Sequence, residues 1–263
     1  MSIDKIILST NDDPMYVDFW PLVARAYKLM FPDVEIMLAY VTERSHTDPQ
    51  VQHFKLFGTV ELFKPEYDIL QFGQAKMARF LLASQQGDAV CYIDDIDLFP
   101  LSKTFITDKT DKRPKDHMLC VGGEVYNYGG TYPVSQMTAE GHIWKTIINP
   151  EDKSFTQLQN HWNREPMFDP REKIGQINDF AIDMYFSDER LLRRLIHENP
   201  IQKYEMKRGY KDVLESTLDR MDWKLDQEKL DNHQYVNAHC NRPYSRCVEE
   251  MKPLFDYIER TYK

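Results

Sequence analysis

The sequence predicts an α/β protein, a sheet flanked by helices with a mainly helical C-terminal extension. Three observations predict it. The chain opens strand–helix–strand between Lys5 and Val41. A run that suits a buried strand, Ala89 to Ile93, breaks into the carboxylates Asp94, Asp95 and Asp97. Helical periodicity then governs much of the chain after Gln176.

Lys5 to Ser9 is a short apolar strand. Thr10, Asn11, Asp12 and Asp13 follow, with Asp13 suited to cap a helix and Pro14 to its first position. Met15, Phe19, Leu22, Val23, Ala26, Tyr27 and Met30 recur at three and four as an inward stripe, and Pro32 ends the helix before the strand from Val34 to Val41. Thr10 and Asn11 thus sit where such folds hold a nucleotide, or in an ordinary polar connection. From Thr42 to Pro49 the sequence is polar and turn-like. Phe54 to Phe57 and Thr59 to Phe63 read as short extended pieces around Gly58. A second helix spans about Gly73 to Gln86, with Met77, Phe80 and Leu81 inward and Gly87 after its end. Its Lys76 and Arg79, three apart, can aim charge at the acidic strand end and a bound phosphate, or can be solvated surface charge.

That strand end carries the most chemistry. In extended geometry Asp95 and Asp97 leave one face and can share a divalent cation, and Asp94 adds a third carboxylate. A solvated acidic turn is the plain alternative, because the spacing alone is weak.

After Pro100, Ser102 to Asp116 reads as an exposed loop and His117 to Val121 as a strand. Glu124 to Thr138, rich in Tyr, Gly, Asn and Ser, suits a wall for hydroxylated ligands or an irregular connection. Thr138 is placed to cap a helix carrying Ile143, Trp144, Ile147 and Ile148, and Glu151 to Lys173 reads as a long polar excursion. Gln176 to Ile196 predicts two consecutive helices, the second starting at Ser187 with Asp188 and Glu189 in its first turn. On the first of them Asp179 and Asp183 share a face, and Asp183, among apolar neighbours, suits a tuned base or transition-state stabiliser. The tail offers His239 and Arg242 before a last helix to Tyr262 that contains Pro253.

Composition narrows the function. A chain of 263 residues that is 42% hydrophobic supports one core-bearing domain and excludes disorder. A net charge of −9 with no basic run argues against nucleic acid, so an anionic ligand needs local cations or a metal. Cys91, Cys120, Cys240 and Cys247 form no CxxC pair, and the spacings of His233, His239, Cys240 and Cys247 fit no usual zinc pattern. Reduced thiols, the lack of a leader and the lack of a long apolar run predict a soluble, cytoplasmic protein.

Together, the strand–helix–strand start, the YIDDIDLFP strand end, the acidic helix turn and the late histidine resemble the GT-A glycosyltransferases. The compact size is similar to that of the small soluble members of large algal DNA viruses. The resemblance implies a Rossmann-like mixed sheet and one catalytic domain, with 1–123 as nucleotide- and metal-binding half and 124–263 as acceptor-side half and C-terminal extension. It implies transfer of a hexose or pentose from a nucleoside-diphosphate sugar, UDP-linked, to a hydroxyl of a glycan or glycoconjugate. Asp95-Ile96-Asp97 matches the family's Asp-x-Asp, implying manganese or magnesium held by Asp95, Asp97 and, from the VNAHCNRPY segment, His239. Donor contacts fall to Thr10, Asn11, Lys76, Arg79, Asp94 and Arg242, and the chemical step to Asp183 or Asp179. FAIDMYF departs from the family's Asp-Glu, with Met184 where Glu is common. A metal-dependent phosphohydrolase or nucleotidyltransferase and a non-catalytic carbohydrate- or calcium-binding module stay open beside this reading; no GxxxxGK[ST] supports the former.

Overall fold

The computed structural model of the chain describes residues 2–66, 71–121, 134–164, 187–206 and 215–263. Its larger sheet has seven strands in the order β3-β2-β1-β4-β7-β6-β8. These are β1 (Lys5–Asn11), β2 (Glu35–Val41), β3 (Thr59–Phe63), β4 (Val90–Ile93), β6 (Met118–Val121), β7 (Met137–Glu140) and β8 (Lys203–Met206). β1 runs parallel to both β2 and β4, and β7 is antiparallel to β4 and β6. This is the mixed, helix-flanked sheet that the GT-A resemblance implies.

Alternation along the strands builds two cores. Ile6, Leu8, Ile36, Leu38 and Tyr40 face one side of the sheet, against α1 (Trp20–Met30) and the C-terminal helix. Their neighbours Ile7, Met37, Ala39 and Val41 face the other, against α3 (Gln71–Ser84), α5 (Gly141–Ile148) and α7 (Ser187–Glu198). On α3, Met77, Phe80 and Leu81 are buried as expected, and Phe80 stacks on Trp144 with ring centroids 5.6 Å apart. Gly87, just past that helix, has φ +59, the left-handed conformation that its place predicts. At Gly58 a Cβ would come within 2.4 Å of the Ile36 carbonyl oxygen, so glycine there lets β3 approach β2.

Several local expectations are corrected. Asp13 accepts the Met15 amide through its side chain, but this closes a turn; a short 3-10 helix, Val17–Phe19, intervenes, α1 starts at Trp20, and Met15 lies exposed. Asp48 caps α2 (Pro49–Phe54), so Phe54 ends a helix rather than starting an extended piece. The expected loop 102–116 contains α4 (Lys103–Lys112), capped by Ser102 and anchored by Ile106 and Thr110, whose spacing of four is easily lost in so polar a stretch. Thr138 is buried inside β7 opposite Tyr92 and caps nothing. The excursion after Glu151 contains α6 (Phe155–Arg164), docked by Leu158 and Trp162.

The C-terminal part carries strands as well as helices. β9 (Thr217–Asp219) and β10 (Asn237–His239) join β5 (Leu98–Pro100) in a second sheet, ordered β5-β10-β9. After the short α8 (Gln227–Asp231), the last helix, α9 (Tyr244–Tyr262), runs through Pro253 and packs on α1. Among the described residues, no helix is long and apolar enough to cross a membrane.

Candidate active site

From β1 the chain continues to β2 and β3 on one side, while β4 pairs on the other. The carboxyl ends of β1 and β4 therefore flank a point where strand order reverses, the crevice in which open α/β sheets take ligands. A cavity of about 300 Å³ opens there, lined by Thr10 and Asn11, Lys76 and Arg79, Asp95 and Asp97, and His239 and Arg242. Of the nucleotide- and metal-site residues that the sequence singles out, Asp94 alone is not brought to this lining.

β4 ends at Ile93, and residues 94–97 form a turn closed by the Leu98 amide on the Asp95 carbonyl at 3.1 Å. The extended geometry expected for Asp95 and Asp97 is thus not the observed one, though both still face the cavity. Asp94 points inward, where its Oδ2 accepts the Tyr27 hydroxyl at 2.5 Å and the Tyr92 hydroxyl at 3.3 Å. Burial, helped by the charge of Asp95, pushes its pKa up to about 7. Its Oδ1 accepts the Asp95 amide at 3.0 Å, so Asp94 pins the turn from below.

Strand register brings the tail to the turn. β10 pairs antiparallel with β5, placing His239 opposite Leu98, and the Cys240 amide donates to the Asp97 carbonyl at 2.9 Å. β10 also runs parallel to β9, placing His239 opposite Asp219 and delivering Arg220 just beyond it. His239 consequently lies between two carboxylates, Nε2 3.6 Å from Asp97 and Nδ1 3.5 Å from Asp219. Burial works against its charged form, but Asp97 outweighs burial and the pKa is raised. Burial likewise pushes Asp97 up, yet His239, Arg242 and Arg220 together hold it below the usual carboxylate range.

Arg79 supplies the other wall. It bonds Asp95, donates Nη1 to the Asp94 carbonyl at 3.0 Å, and donates Nη2 to Asp188 at 3.2 Å. Burial opposes its charge, but Asp95 and Asp188 raise its pKa, so it stays a cation inside the fold. Lys76 reaches the same Asp188 at 3.1 Å.

No family model and no curated protein matches this chain. Among solved structures it is similar to the galactosyltransferase LgtC in complex with donor and acceptor sugar analogs, with 11% identity, a TM-score of 0.48, and coverage of 96% of this chain and 95% of that one. It is similar to a glycosyltransferase involved in the glycosylation of the major capsid of PBCV-1, with 12% identity, a TM-score of 0.45, and coverage of 94% and 98%. The apo-form glycosyltransferase GlyE of Streptococcus pneumoniae TIGR4 gives 10% identity, a TM-score of 0.48, and coverage of 100% and 65%.

Among the described residues no group of three or more His, Cys, Asp or Glu side chains is arranged to hold a metal ion, although Asp95, Asp97 and His239 offer donor types that a divalent cation takes. Carboxylate oxygens with one imidazole suit manganese or magnesium. Among the described residues, the closest contacts to the two aspartates use only Oδ1 of Asp95 and Oδ2 of Asp97, leaving one oxygen of each for another ligand. Asp219 on Nδ1 is the kind of outer partner that orients a metal-binding histidine.

Asp179 and Asp183 lie outside the described residues. Sequence reasoning missed Arg220, Tyr16, Asp188 and Glu189 in the lining. Asp188 and Glu189 have a visible signal, a polar start to an amphipathic helix, which by itself predicts only capping. Arg220, which opens a short 3-10 helix, and Tyr16, in the turn before another, have none, because their partners are distant in sequence.

Proposed function

We propose that this protein is a metal-dependent glycosyltransferase that moves a sugar from a nucleoside-diphosphate sugar to a hydroxyl of a glycan or glycoconjugate. The observation that carries the reading is the convergence at one strand-order reversal of Asp95, Asp97 and His239 with Lys76, Arg79, Arg220 and Arg242. An acidic chain has gathered four permanent or near-permanent cations at the one crevice where an anionic donor would lie.

In this reading Asp95, Asp97 and His239 hold manganese or magnesium, which when bound neutralises charge developing on the leaving diphosphate. Thr10 and Asn11, at the end of β1, take the nucleoside. Lys76, Arg242 and Arg220 face the phosphates and stabilise the same charge without reorganising. Arg79 keeps the acidic turn in place, tying Asp95 to Asp188 on α7. The acceptor hydroxyl must lose a proton as the sugar–phosphate bond breaks, and Asp183, or Asp179 in its place, is the proposed carboxylate for that step. Glu189, in the cavity lining, is a further candidate for the acceptor side.

The test is release of nucleoside diphosphate from a panel of UDP- and GDP-sugars with manganese, with and without a simple glycan acceptor. Metal-dependent release that is accelerated by acceptor supports transfer. Stabilisation by calcium alone, with no nucleotide binding, would replace this reading with a binding module.

A further inference from the structure

The carboxylates of the cavity are met by cations of the chain itself. Asp95 bonds Arg79, Asp188 lies 3.1 Å from Lys76 and 3.2 Å from Arg79, and Asp97 lies 2.9 Å from Arg220 and 3.5 Å from Arg242. Solvent screens these pairs poorly, since the side chains of Arg79, Asp188 and Asp97 are all buried. In the lining, lysine and arginine side chains equal aspartates and glutamates in number, four to four, whereas the whole chain carries −9. An anion entering this cavity therefore meets no surplus of negative charge that a divalent cation would first have to cancel.

Arg242 is set to receive such an anion. Its guanidinium lies 4.7 Å above the Tyr16 ring, donates Nη1 to the Tyr16 hydroxyl and turns Nε to Asp97, so it is fixed from two sides. A guanidinium carries five N–H donors, and among the described residues Tyr16 and Asp97 are the side-chain partners of Arg242. Donors beyond those two contacts remain on a side chain that lines the cavity and is held in place before any ligand arrives. Lys76, a quarter exposed on the wall that α3 supplies, brings a second cation to the same space. A diphosphate offers several oxygens to a fork-shaped donor and to a point charge alike. We infer that the cavity binds the diphosphate group of the donor without a divalent cation, with Arg242 as its preset contact and Lys76 as a second. This deepens the proposed function and rests on its donor class. It gives capture of the donor to the chain's own cations and leaves the divalent ion to the transfer step.

The experiment is calorimetric titration of the full chain in EDTA with sodium pyrophosphate and, separately, with UDP. Wild type, Arg242→Gln, Arg242→Lys and Lys76→Gln are compared with Arg25→Gln, which removes an exposed arginine of α1 outside the cavity. Wild type should bind pyrophosphate in EDTA with a Kd below about 1 mM. Arg242→Gln should weaken that binding about tenfold, and Arg242→Lys less, because it keeps the charge and loses the fork. Lys76→Gln should weaken it about threefold, and Arg25→Gln should leave it unchanged. The inference is overturned if either ligand binds only once manganese replaces EDTA, if Arg242→Gln and Lys76→Gln both bind in EDTA as wild type does, or if Arg25→Gln loses as much as Arg242→Gln. Should Arg242→Gln fail to fold by near-UV circular dichroism, Lys76→Gln and the wild-type titrations decide. Failure of the parent reading shows separately. Binding in EDTA without release of nucleoside diphosphate from any UDP- or GDP-sugar would overturn the transferase and still support the metal-free site, whereas metal-dependent release with no binding in EDTA would do the reverse.

Discussion

Arg113 and Glu140 meet fork to fork, Nη1 to Oε2 at 2.7 Å and Nη2 to Oε1 at 2.9 Å, whereas Arg220 and Arg242 both lean on a single oxygen of Asp97. The first set is buried and the second partly so, and both join segments distant in sequence. In the first, each carboxylate oxygen has its own guanidinium nitrogen, and the His117 carbonyl accepts a further bond from Arg113 at 2.6 Å. The pair locks the end of β7 to the turn after α4. In the second, cations outnumber the acceptor oxygen and open onto a cavity. The first set joins two elements inside the fold; the second lines the cavity at the strand-order reversal.

The comparison breaks first at Asp97. If Asp97 holds the metal as proposed, Asp97→Asn should reduce manganese-dependent binding of UDP or GDP by more than about 100-fold, because it removes a charged ligand outright rather than an outer partner. Calorimetry with and without metal measures it, and unchanged metal dependence would put the metal elsewhere. The mirror experiment is Glu140→Gln. Leaving Arg113 buried against a neutral amide should cost about 3–5 kcal/mol of folding stability, with nucleotide affinity per folded molecule unchanged. Urea unfolding and the same titrations read the two quantities.

Glu140 also gives a pH prediction. Burial raises its pKa, but the Arg113 bonds outweigh burial and hold it below the ordinary glutamate value. The folded pKa is therefore lower than the unfolded one. Its contribution is fully present above the unfolded value of about 4.3 and is lost as pH falls through the folded value. The wild-type stability curve should drop there more steeply than that of Glu140→Gln, and parallel curves between pH 3 and 6 would refute the assignment.

A smaller effect is expected one contact from the proposed metal ligands. Asp219→Asn should weaken manganese binding about tenfold by loosening His239, with little change in melting temperature. Manganese titration of the variant beside a thermal melt separates orientation from packing. The least effect is predicted at Arg44, whose Nε lies 2.8 Å from Asp12 with both side chains more than a third exposed. Arg44→Ala should change stability by less than about 1 kcal/mol, since solvent screens the pair and Asp12 keeps the Tyr40 and Thr42 hydroxyls. A loss of several kcal/mol by urea unfolding would show that partial exposure is a poor guide here.

Local pattern alone determined a good deal of this protein. The strand–helix–strand start, the inward stripe of α3, Gly87 after it and the apolar strand leading to Asp94 all follow from periodicity and backbone preference, which act over a few residues. Thr10, Asn11, Lys76, Arg79, Asp95, Asp97, His239 and Arg242 could be singled out because their residue types stand at strand ends, on a helix beside the acid turn, or in a tail motif. Polar surroundings hid α4, with Ile106 and Thr110 buried, and α6, with Leu158, Gln159 and Trp162 buried, in stretches that otherwise read as loop. What only the tertiary structure decided is which way each charged group points. Asp94 differs from Asp95 by nothing visible in the sequence, yet the hydroxyls of Tyr27 and Tyr92 turn it into the core while its neighbour faces the cavity. His239 lies 142 residues beyond Asp97 by subtraction of their positions, and only the pairing of β10 with β5 and β9 makes them neighbours and adds Arg220. Sheet register is a long-range choice made by the sum of many packing contacts, so no local stretch of sequence can encode it.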